Sequence, residues 1–503
     1  MKVNLYKGQG SYNVNEFYLF KDNWDDWRYK TSFDLEYYNE NKEFKNIGSV
    51  KIANKQLSSG STIVPDSFEQ LNEDFFSLGL DKIYYENLSN LGETVRHLIL
   101  TALNDIALNE EVFKEVIDLD VTTTSLLRDV SVEDVIGDFR SLANGDAILS
   151  EYKFKYNFPN TKSSIAPRPP ITFNVVPYNL PTTNIHVLIG SNGVGKTYHL
   201  NNMIEALLNN SKSNSKYGYF TSETESDEIF ANLVSVSFSA FDDRDPPEER
   251  NDKSKNVNYS YIGLKRVNSD KSSAPKSTTI LKNEFIKSLE SILKSAKWRR
   301  LKSALLILSS DPVFSQSNFI EVIGNYDLSK IESNINKEIG DLFRALSSGH
   351  KIVLLTIVRL IDTVEERSLV LLDEPETHLH PPLLSAFMKA LSNLLRQRNA
   401  VAIIATHSPV VLQEVPKSCV WKFSRVGSYS KAERLSIESY GENLGTLTRE
   451  VFGFEVTDSG FHKLVSDIVN DSYSYNDVYE KFNGELGLEA QSIIRALLNT
   501  KRY

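Results

Sequence analysis

The spacing of apolar residues in the middle of the chain predicts a buried sheet. Short runs rich in β-branched and apolar side chains occupy residues 185–189, 369–372 and 400–404. Runs of this kind, without polar alternation, are typical of strands covered on both faces. A helical repeat follows the first run at 198–208. Strands that are joined by a helix in this way indicate the α/β class.

The first part of the chain has a different pattern. Residues 30–38 and 47–52 carry strand formers on either side of a turn-prone segment, which predicts a hairpin. Helical spacing follows at 68–76 and 94–108. We expect an α+β region whose strands either form their own sheet or extend the central one. The prolines within 157–170 predict a linker after it.

Length and composition limit this picture. A chain of 503 residues exceeds one ordinary core and suggests about three domains. No basic and apolar leader opens the sequence, and no apolar run approaches the ~20 residues that cross a bilayer. We therefore expect a cytoplasmic protein with no membrane partner. Cys419, the single cysteine, is interpreted as a core residue.

Charge is distributed unevenly. The net charge is −10, yet residues 244–302 contain 15 Lys and Arg against 7 Asp and Glu. This stretch ends in the basic segment 297–302, which contains Trp298 and suits contact with nucleic acid through phosphates and base stacking. A charged face of an amphipathic helix explains the same residues equally well. Both alternatives stay open.

Candidate chemistry begins directly after the first apolar run. The segment GSNGVGKT has the spacing of a phosphate-binding loop, and it joins a predicted strand to a predicted helix. Its predicted phosphate-binding residues are Gly190, Ser191, Asn192, Gly193, Val194, Gly195, Lys196 and Thr197. Lys196 would hold the β- and γ-phosphates, and the Thr197 hydroxyl would bind Mg²⁺. ATP and Mg²⁺ are the predicted ligands.

Two carboxylates follow the second apolar run. Asp373 would bind Mg²⁺ through water, and Glu374 would polarise the attacking water. A buried strand that simply ends in acidic residues is the plain alternative. The phosphate loop earlier in the chain favours the nucleotide site, because such a site needs an aspartate to hold its Mg²⁺.

The order of the motifs supplies a resemblance. The motifs are GSNGVGKT at 190–197, LSSGH at 346–350, LVLLDEPE at 369–376, THLHP at 377–381 and ATHSP at 405–409. Over residues 170–430 the chain resembles the ABC-type ATPases, in their soluble branch with chromosome-maintenance, recombination-repair and overcoming-lysogenisation-defect proteins. The resemblance implies a P-loop ATPase core, with a mixed sheet flanked by helices, and a homodimer or higher oligomer.

The resemblance also implies roles for single residues. Ser347, Ser348 and Gly349 would complete the γ-phosphate site of a second subunit, and His407 would contact the γ-phosphate as a switch histidine. A serine N-cap and a structural histidine are the plain alternatives. His378 and His380 could pass for metal ligands, but no third ligand at a suitable spacing is visible.

The sequence departs from the family pattern at one position. The family usually has a glutamine between the phosphate loop and the signature, and this glutamine senses Mg²⁺ and couples ATP binding to other domains. No Gln occurs from Thr197 to Ser315 in this chain. Ser239 or Asp242 would substitute for it.

These patterns divide the chain into an N-terminal α+β region and an ATPase core that a helical insertion interrupts. The predicted segments are 1–165 (N-terminal α+β region), 166–240 (first part of the ATPase core), 241–335 (basic helical insertion), 336–430 (second part of the core) and 431–503 (helical C-terminal region).

Compact ATPases of this kind resemble those of bacterial antiphage systems such as Septu, Paris and the retron-associated types. In those systems a separate nuclease does the damage. Asp118 and Asp120 form an isolated acidic pair without the further carboxylates of a nuclease centre. We therefore expect an ATPase that dimerises on ATP and regulates or senses for a defence complex, with a separate nuclease, of the HNH kind, as partner. An ATP-dependent DNA clamp in repair or recombination is the alternative, and a transporter subunit is a third.

Overall fold

The computed structural model describes most of the chain. The described residues are 1–8, 12–147, 149–159, 168–211, 216–223, 229–238, 244–250, 257–266, 275–293, 295, 297–317, 319–324, 335–426, 429–457, 460–470 and 474–500.

The N-terminal part has its own sheet and its own core. Its strands are β1 (Val3–Leu5), β2 (Glu16–Lys21), β3 (Tyr29–Lys30), β4 (Ser32–Tyr38), β5 (Phe44–Asn54), β6 (Gly60–Ser61), β7 (Ser67–Phe68) and β8 (Phe75–Gly79). Six of them form a sheet in the order β7-β1-β2-β4-β5-β8, and β3 pairs with β6. The predicted hairpin is the antiparallel pair β4 and β5. In β4, Phe33 and Leu35 are buried and Asp34 between them is exposed, as expected for a half-buried strand.

Short helices cover this sheet. They are α1 (Lys82–Asn90), α2 (Glu93–Ala102), α3 (Glu110–Val116), α4 (Val132–Asp134) and α5 (Arg140–Asn144), with π-helical turns at Thr122–Leu126 and Val135–Phe139. The helix predicted at 68–76 is wrong, because β7 and β8 occupy its ends. The apolar spacing there fits a helix, but β8 gains ladder hydrogen bonds with β5, a pairing distant in sequence that local periodicity does not reveal.

A seven-stranded sheet forms the middle of the molecule. Its strands are β11 (Ile185–Ile189), β13 (Asn232–Ser237), β14 (Asn258–Gly263), β15 (Ser368–Asp373), β16 (Val401–Thr406), β17 (Val420–Val426) and β18 (Tyr429–Glu433), in the order β14-β13-β15-β16-β11-β17-β18. All neighbours are parallel except β17 and β18. The three apolar runs are therefore adjacent strands β15, β16 and β11.

Each central strand is buried on both faces, which explains its unbroken apolar sequence. Val187 and Val370 belong to a core formed with α7 (Thr278–Leu293), α8 (Trp298–Leu308), α11 (Ile335–Ala345), α12 (Ser348–Thr363) and α13 (Pro381–Gln397). Leu188 and Leu371 face the opposite core, which contains α6 (Lys196–Leu208). Burial of each such side chain contributes roughly 1.5–3 kcal/mol. The predicted α/β class is confirmed.

A small antiparallel sheet completes the second core. It has the order β10-β9-β12, from β9 (Tyr152–Asn157), β10 (Ile171–Val175) and β12 (Tyr219–Ser222). Because β9 and β10 pair with each other, the segment 157–170 connects two strands of one sheet, and interpreting it as a linker between domains is wrong. The predicted boundary after residue 165 falls inside this connection.

The insertion contains more than helices. Its strand β14 pairs with β13 at the edge of the central sheet, which a purely helical interpretation missed. The strand follows a polar segment rich in Asn, Ser and Lys that masks its short apolar pattern. Two short helices, α9 (Pro312–Gln316) and α10 (Phe319–Gly324), follow α8.

After β18, the C-terminal region 431–503 is helical. It contains α15 (Leu444–Thr457), α16 (Gly460–Asn470), α17 (Tyr475–Lys481) and α18 (Leu488–Thr500), and the last three share a small core. The short helix α14 (Pro409–Leu412) lies earlier, between β16 and β17. Cys419 is buried, in line with its prediction as a core residue. Across the described ranges, every helix is too short or too polar to span a bilayer.

Candidate functional site

The phosphate loop lies between β11 and α6, at the carboxyl edge of the parallel sheet. A side chain at Gly190 would place its Cβ 2.2 Å from the Phe423 carbonyl oxygen, so the backbone of β17 packs directly against the loop. Gly195, with φ +99°, precedes the first residue of α6 in a conformation that favours glycine. The amide groups at the start of α6 are thereby available to an anion.

The remaining loop residues serve two purposes. Val194 is buried in the core below the loop, whereas Asn192 and Gly193 are exposed above it. The Gly193 carbonyl accepts a hydrogen bond from Arg425 at 3.3 Å. The loop is thus anchored from below and open on its outer side.

Lys196 is folded back over this loop. Its ammonium is buried and donates to the carbonyls of Gly190 and Ser191 at 2.8 and 3.1 Å. Burial lowers its pKa, and the nearby carboxylates Glu374 and Asp373 oppose that shift. A cation held in this position can neutralise bound phosphate.

Thr197 and Asp373 meet across the loop. The Thr197 hydroxyl donates to the Asp373 carboxylate at 3.0 Å, which joins the start of α6 to the end of β15. A hydroxyl and a carboxylate are oxygen ligands of the kind that Mg²⁺ prefers. The two residues that the sequence assigns to Mg²⁺ therefore fit this ion.

Glu374 sits on a sharp backbone turn. Its φ is +45°, an uncommon value for a residue other than glycine, and its amide donates to the Ala405 carbonyl of β16 at 2.9 Å. Strained backbone of this kind clusters at functional sites. The turn ends β15 and leaves the Glu374 carboxylate partly exposed at the sheet edge.

The next strand along the sheet brings His407 to the same edge. Its Nδ1 lies 3.6 Å from Glu374 Oε1 and 3.3 Å from Glu376 Oε1. The structure thus brings together Lys196, Thr197, Asp373, Glu374 and His407, which the sequence places far apart.

Glu376 is a residue that the sequence interpretation passed over. Its Oε1 accepts hydrogen bonds from the Thr406 hydroxyl and from the His407 amide, so it fixes the turn that carries the histidine. The motif letters DEPE contain this residue. Its partners Thr406 and His407, however, are 30 and 31 residues away in the sequence. A local sequence pattern does not show that such distant residues are in contact.

The signature residues begin α12. Ser347 is the N-cap, and its hydroxyl lies 2.6 Å from His350 Nδ1. Ser347 and Ser348 are exposed, whereas Gly349 is buried. A Cβ at Gly349 would lie 2.5 Å from the His378 carbonyl oxygen, so the helix start packs tightly against the loop that follows the carboxylates.

A groove runs beside the phosphate loop. Residues 191–194 line one wall, and parts of β17 and α15 line the other. The Lys422 ammonium donates to the Glu450 carbonyl at 2.6 Å and holds α15 against the sheet. The sequence interpretation did not foresee that the C-terminal region reaches this site.

The basic segment 297–302 has mostly internal partners. Lys297 donates to the Asp362 carbonyl, Arg299 contacts His97, and Arg300 donates to the Gly145 carbonyl. Trp298 and Lys302 are exposed. Three of these cations, Lys297, Arg299 and Arg300, therefore pack inside the chain, and Lys302 and Trp298 remain the exposed residues of the predicted nucleic-acid contact.

Two sequence predictions cannot be placed. Ser239 and Asp242, expected to substitute for the missing glutamine, lie outside the residues that the structure describes.

Residues 185–413 match a protein family described as "AAA domain, putative AbiEii toxin, Type IV TA system". The match covers the phosphate loop, the carboxylates, the signature and His407. It supports the assignment of this site to a P-loop ATPase.

Two solved structures show a distant likeness to this chain. cbiO1 from Clostridium perfringens, described as part of the ABC transporter complex cbiONQ, is 17% identical, covers 53% of this chain and 82% of its own, and has a TM-score of 0.27. UvrA2 from Deinococcus radiodurans is 11% identical, covers 54% of this chain and 35% of its own, and has a TM-score of 0.28. TM-scores this low carry no argument. The fold is therefore assigned from the strand order of the central sheet and from the geometry of the phosphate loop and the carboxylates.

A much nearer relative spans nearly the whole chain. Protein ea59 of Escherichia phage lambda is 42% identical over 508 residues, which cover 96% of this chain and 95% of the relative. The chain therefore belongs to the family of protein ea59, and its nucleotide site makes it a P-loop ATPase of the ABC type.

Proposed function

We propose that two copies of this ATPase close around two ATP molecules, with the signature of each copy completing the site of the other. The observation that carries the proposal is the exposed pair Ser347 and Ser348 at the start of α12, a helix of 16 residues. Free amide groups and the helix dipole make such a start a favourable phosphate site. The contact between Gly349 and the His378 carbonyl ties it to the carboxylate loop.

The side chains at the sheet edge divide the chemistry among them. Lys196 neutralises charge on the β- and γ-phosphates, and Glu374 accepts a proton from the water that attacks the γ-phosphorus. His407 lies beside Glu374 and contacts the γ-phosphate. Mg²⁺, held by Thr197 and Asp373, would neutralise further charge on the phosphate oxygens.

We assign this ATPase the role of sensor or regulator in a defence complex whose effector is a separate nuclease, of the HNH kind. Support for a defence role comes from the matching family, whose description names the AbiEii toxin of a type IV toxin–antitoxin system. Among the described residues, Asp311, His350 and His380 form a cluster of metal-ligand type, and this cluster lacks the several carboxylates of a two-metal nuclease. Protein ea59 comes from a phage, so this role has to include chains that phages encode.

The test uses Glu374→Gln, purified from its native host with Mg·ATP. We expect bound ATP, a dimer by mass and turnover reduced at least about 100-fold, because the general base is lost. The matched control is the double variant with Lys196→Ala, which should stay monomeric. Rapid turnover by Glu374→Gln would refute the assigned base.

The material that co-purifies tests the biological role. A protein partner with nuclease activity supports the regulatory role. A bare dimer carrying nucleic acid would contradict it and favour the DNA clamp.

A further inference from the structure

Three side chains with metal-ligand chemistry meet beside the signature. Asp311 comes from the start of α9, His350 from the first turn of α12, and His380 from the position before α13. His350 Nε2 lies 3.0 Å from Asp311 Oδ1, and His380 Nε2 lies 3.5 Å from Asp311 Oδ2. Their ligand atoms all lie within 4.8 Å of one another. The structure thus supplies the partners of His380 that the sequence did not reveal.

Asp311 and His380 also have roles in the fold, and those roles are the plainer explanation of their positions. Asp311 caps α9 by accepting from the amides of Val313 and Phe314, and His380 caps α13 by accepting from the amide of Leu383. Capping alone, however, does not require the Nε2 atoms of both histidines to lie beside the same carboxylate. Two imidazoles and a carboxylate form a ligand set that zinc binds in proteins.

The surroundings favour ligation as well. Asp311 and His350 are almost fully buried, whereas the His380 side chain is 52% exposed, so a fourth position faces solvent. The Nδ1 of His350 is held by the Ser347 hydroxyl at 2.6 Å, an outer partner of the kind that orients ligating histidines. Metal–ligand distances of about 2.0–2.2 Å are compatible with ligand atoms this close together.

We propose that Asp311, His350 and His380 bind one divalent transition metal, with zinc as the best match to the donor set. The metal joins the starts of α9, α12 and α13 into one unit directly behind Ser347. This site is separate from the Mg·ATP site and does not depend on ATP-driven dimerisation.

The chain offers a matched pair for the test, because His378 lies two residues from His380, is exposed and does not belong to the cluster. Full-length wild-type protein and the variants His378→Asn, His380→Asn and Asp373→Asn are stripped of metal by a chelator without nucleotide present. Zn²⁺ is then titrated against a chromophoric chelator, and Co²⁺ is added separately to record its visible spectrum. Circular dichroism confirms that each variant is folded.

We expect one zinc per chain and a tetrahedral Co²⁺ spectrum for wild type and His378→Asn. His380→Asn should bind zinc at least about 100-fold more weakly, since it loses a direct ligand. Equal weakening by both variants would overturn the proposal. So would zinc binding that survives in His380→Asn but disappears in Asp373→Asn, because the metal would then occupy the nucleotide site.

Discussion

At the scale of single residues, Glu376 holds the turn that carries His407. Its side chain is nearly buried, and one oxygen, Oε1, accepts from both Thr406 and His407. The other oxygen, Oε2, is buried without a hydrogen bond to any described atom. The Glu376 carboxylate therefore positions His407, and it does so through the two hydrogen bonds that Oε1 accepts.

Two substitutions of Glu376 distinguish the contribution of its hydrogen-bond acceptor from that of its negative charge. Glu376→Ala removes both hydrogen bonds and should lower kcat by roughly 10- to 100-fold, because His407 loses its orientation. Glu376→Gln keeps an acceptor oxygen and should retain most of the activity. Steady-state hydrolysis with both variants decides the matter, and an equally large loss in each would show that the charge matters more than the hydrogen bonds.

Whether a site residue could be predicted depends on how far away in the sequence its partners lie. Lys196, Thr197 and Asp373 follow from local motifs, because the phosphate loop and the carboxylate strand each form within a few residues. The cluster of Asp311, His350 and His380 joins three segments far apart in sequence, so spacing alone left His380 without a partner.

At the scale of elements, the signature helix and the carboxylate loop are in unusually close contact. Gly349→Ala would place its Cβ 2.5 Å from the His378 carbonyl oxygen, a backbone atom that cannot rotate away. Either the start of α12 or the loop that contains His378 must move, which should lower the free energy of unfolding by about 1–3 kcal/mol. We expect a lower melting temperature and slower ATP hydrolysis.

Gly340→Ala in α11 is the control for helix propensity. Its Cβ would meet the Lys282 side chain at 3.6 Å, an ordinary contact, and alanine favours a helix by up to about 1 kcal/mol. This variant should be as stable as wild type or more so in urea unfolding. If both alanine variants unfold alike, the contact at Gly349 is not close enough to matter.

Strands could be predicted from the sequence where both of their faces are buried. The central strands are covered on both faces, so their apolar runs identified them. The strands β8 and β14 were missed because their stability comes from pairing with β5 and β13, which short-range periodicity does not record. The proline-rich connection at 157–170 looked like a linker for the same reason.

At the scale of the whole molecule, a charged network joins the N-terminal part to the helices of the ATPase core. Arg300 on α8 lies 3.7 Å from Glu93 and 3.6 Å from Asp146, and Arg398 after α13 approaches the Gly145 carbonyl. The arginine is 8% exposed. The basic segment that looked like a nucleic-acid surface is thus part of an internal junction.

Removal of Arg300 should weaken this junction in a pH-dependent manner. Burial raises the pKa of Asp146 to about 6, and Arg300 lowers that pKa. Because the folded pKa lies above the ordinary value, stability from this group is lost as pH rises through about 6. Arg300→Ala raises the pKa of Asp146 further. The resulting destabilisation, roughly 3–5 kcal/mol for a broken buried pair, should therefore be larger near pH 8 than near pH 5.

Lys302→Ala is the matched control, because Lys302 lies on the same helix and is exposed. Surface changes of this kind usually alter stability by less than about 0.5 kcal/mol, and we expect no pH dependence from it. Urea unfolding of both variants at the two pH values measures the difference. An Arg300→Ala variant as stable as Lys302→Ala at both pH values would show that the junction does not depend on this arginine, and would leave the segment free for an external partner.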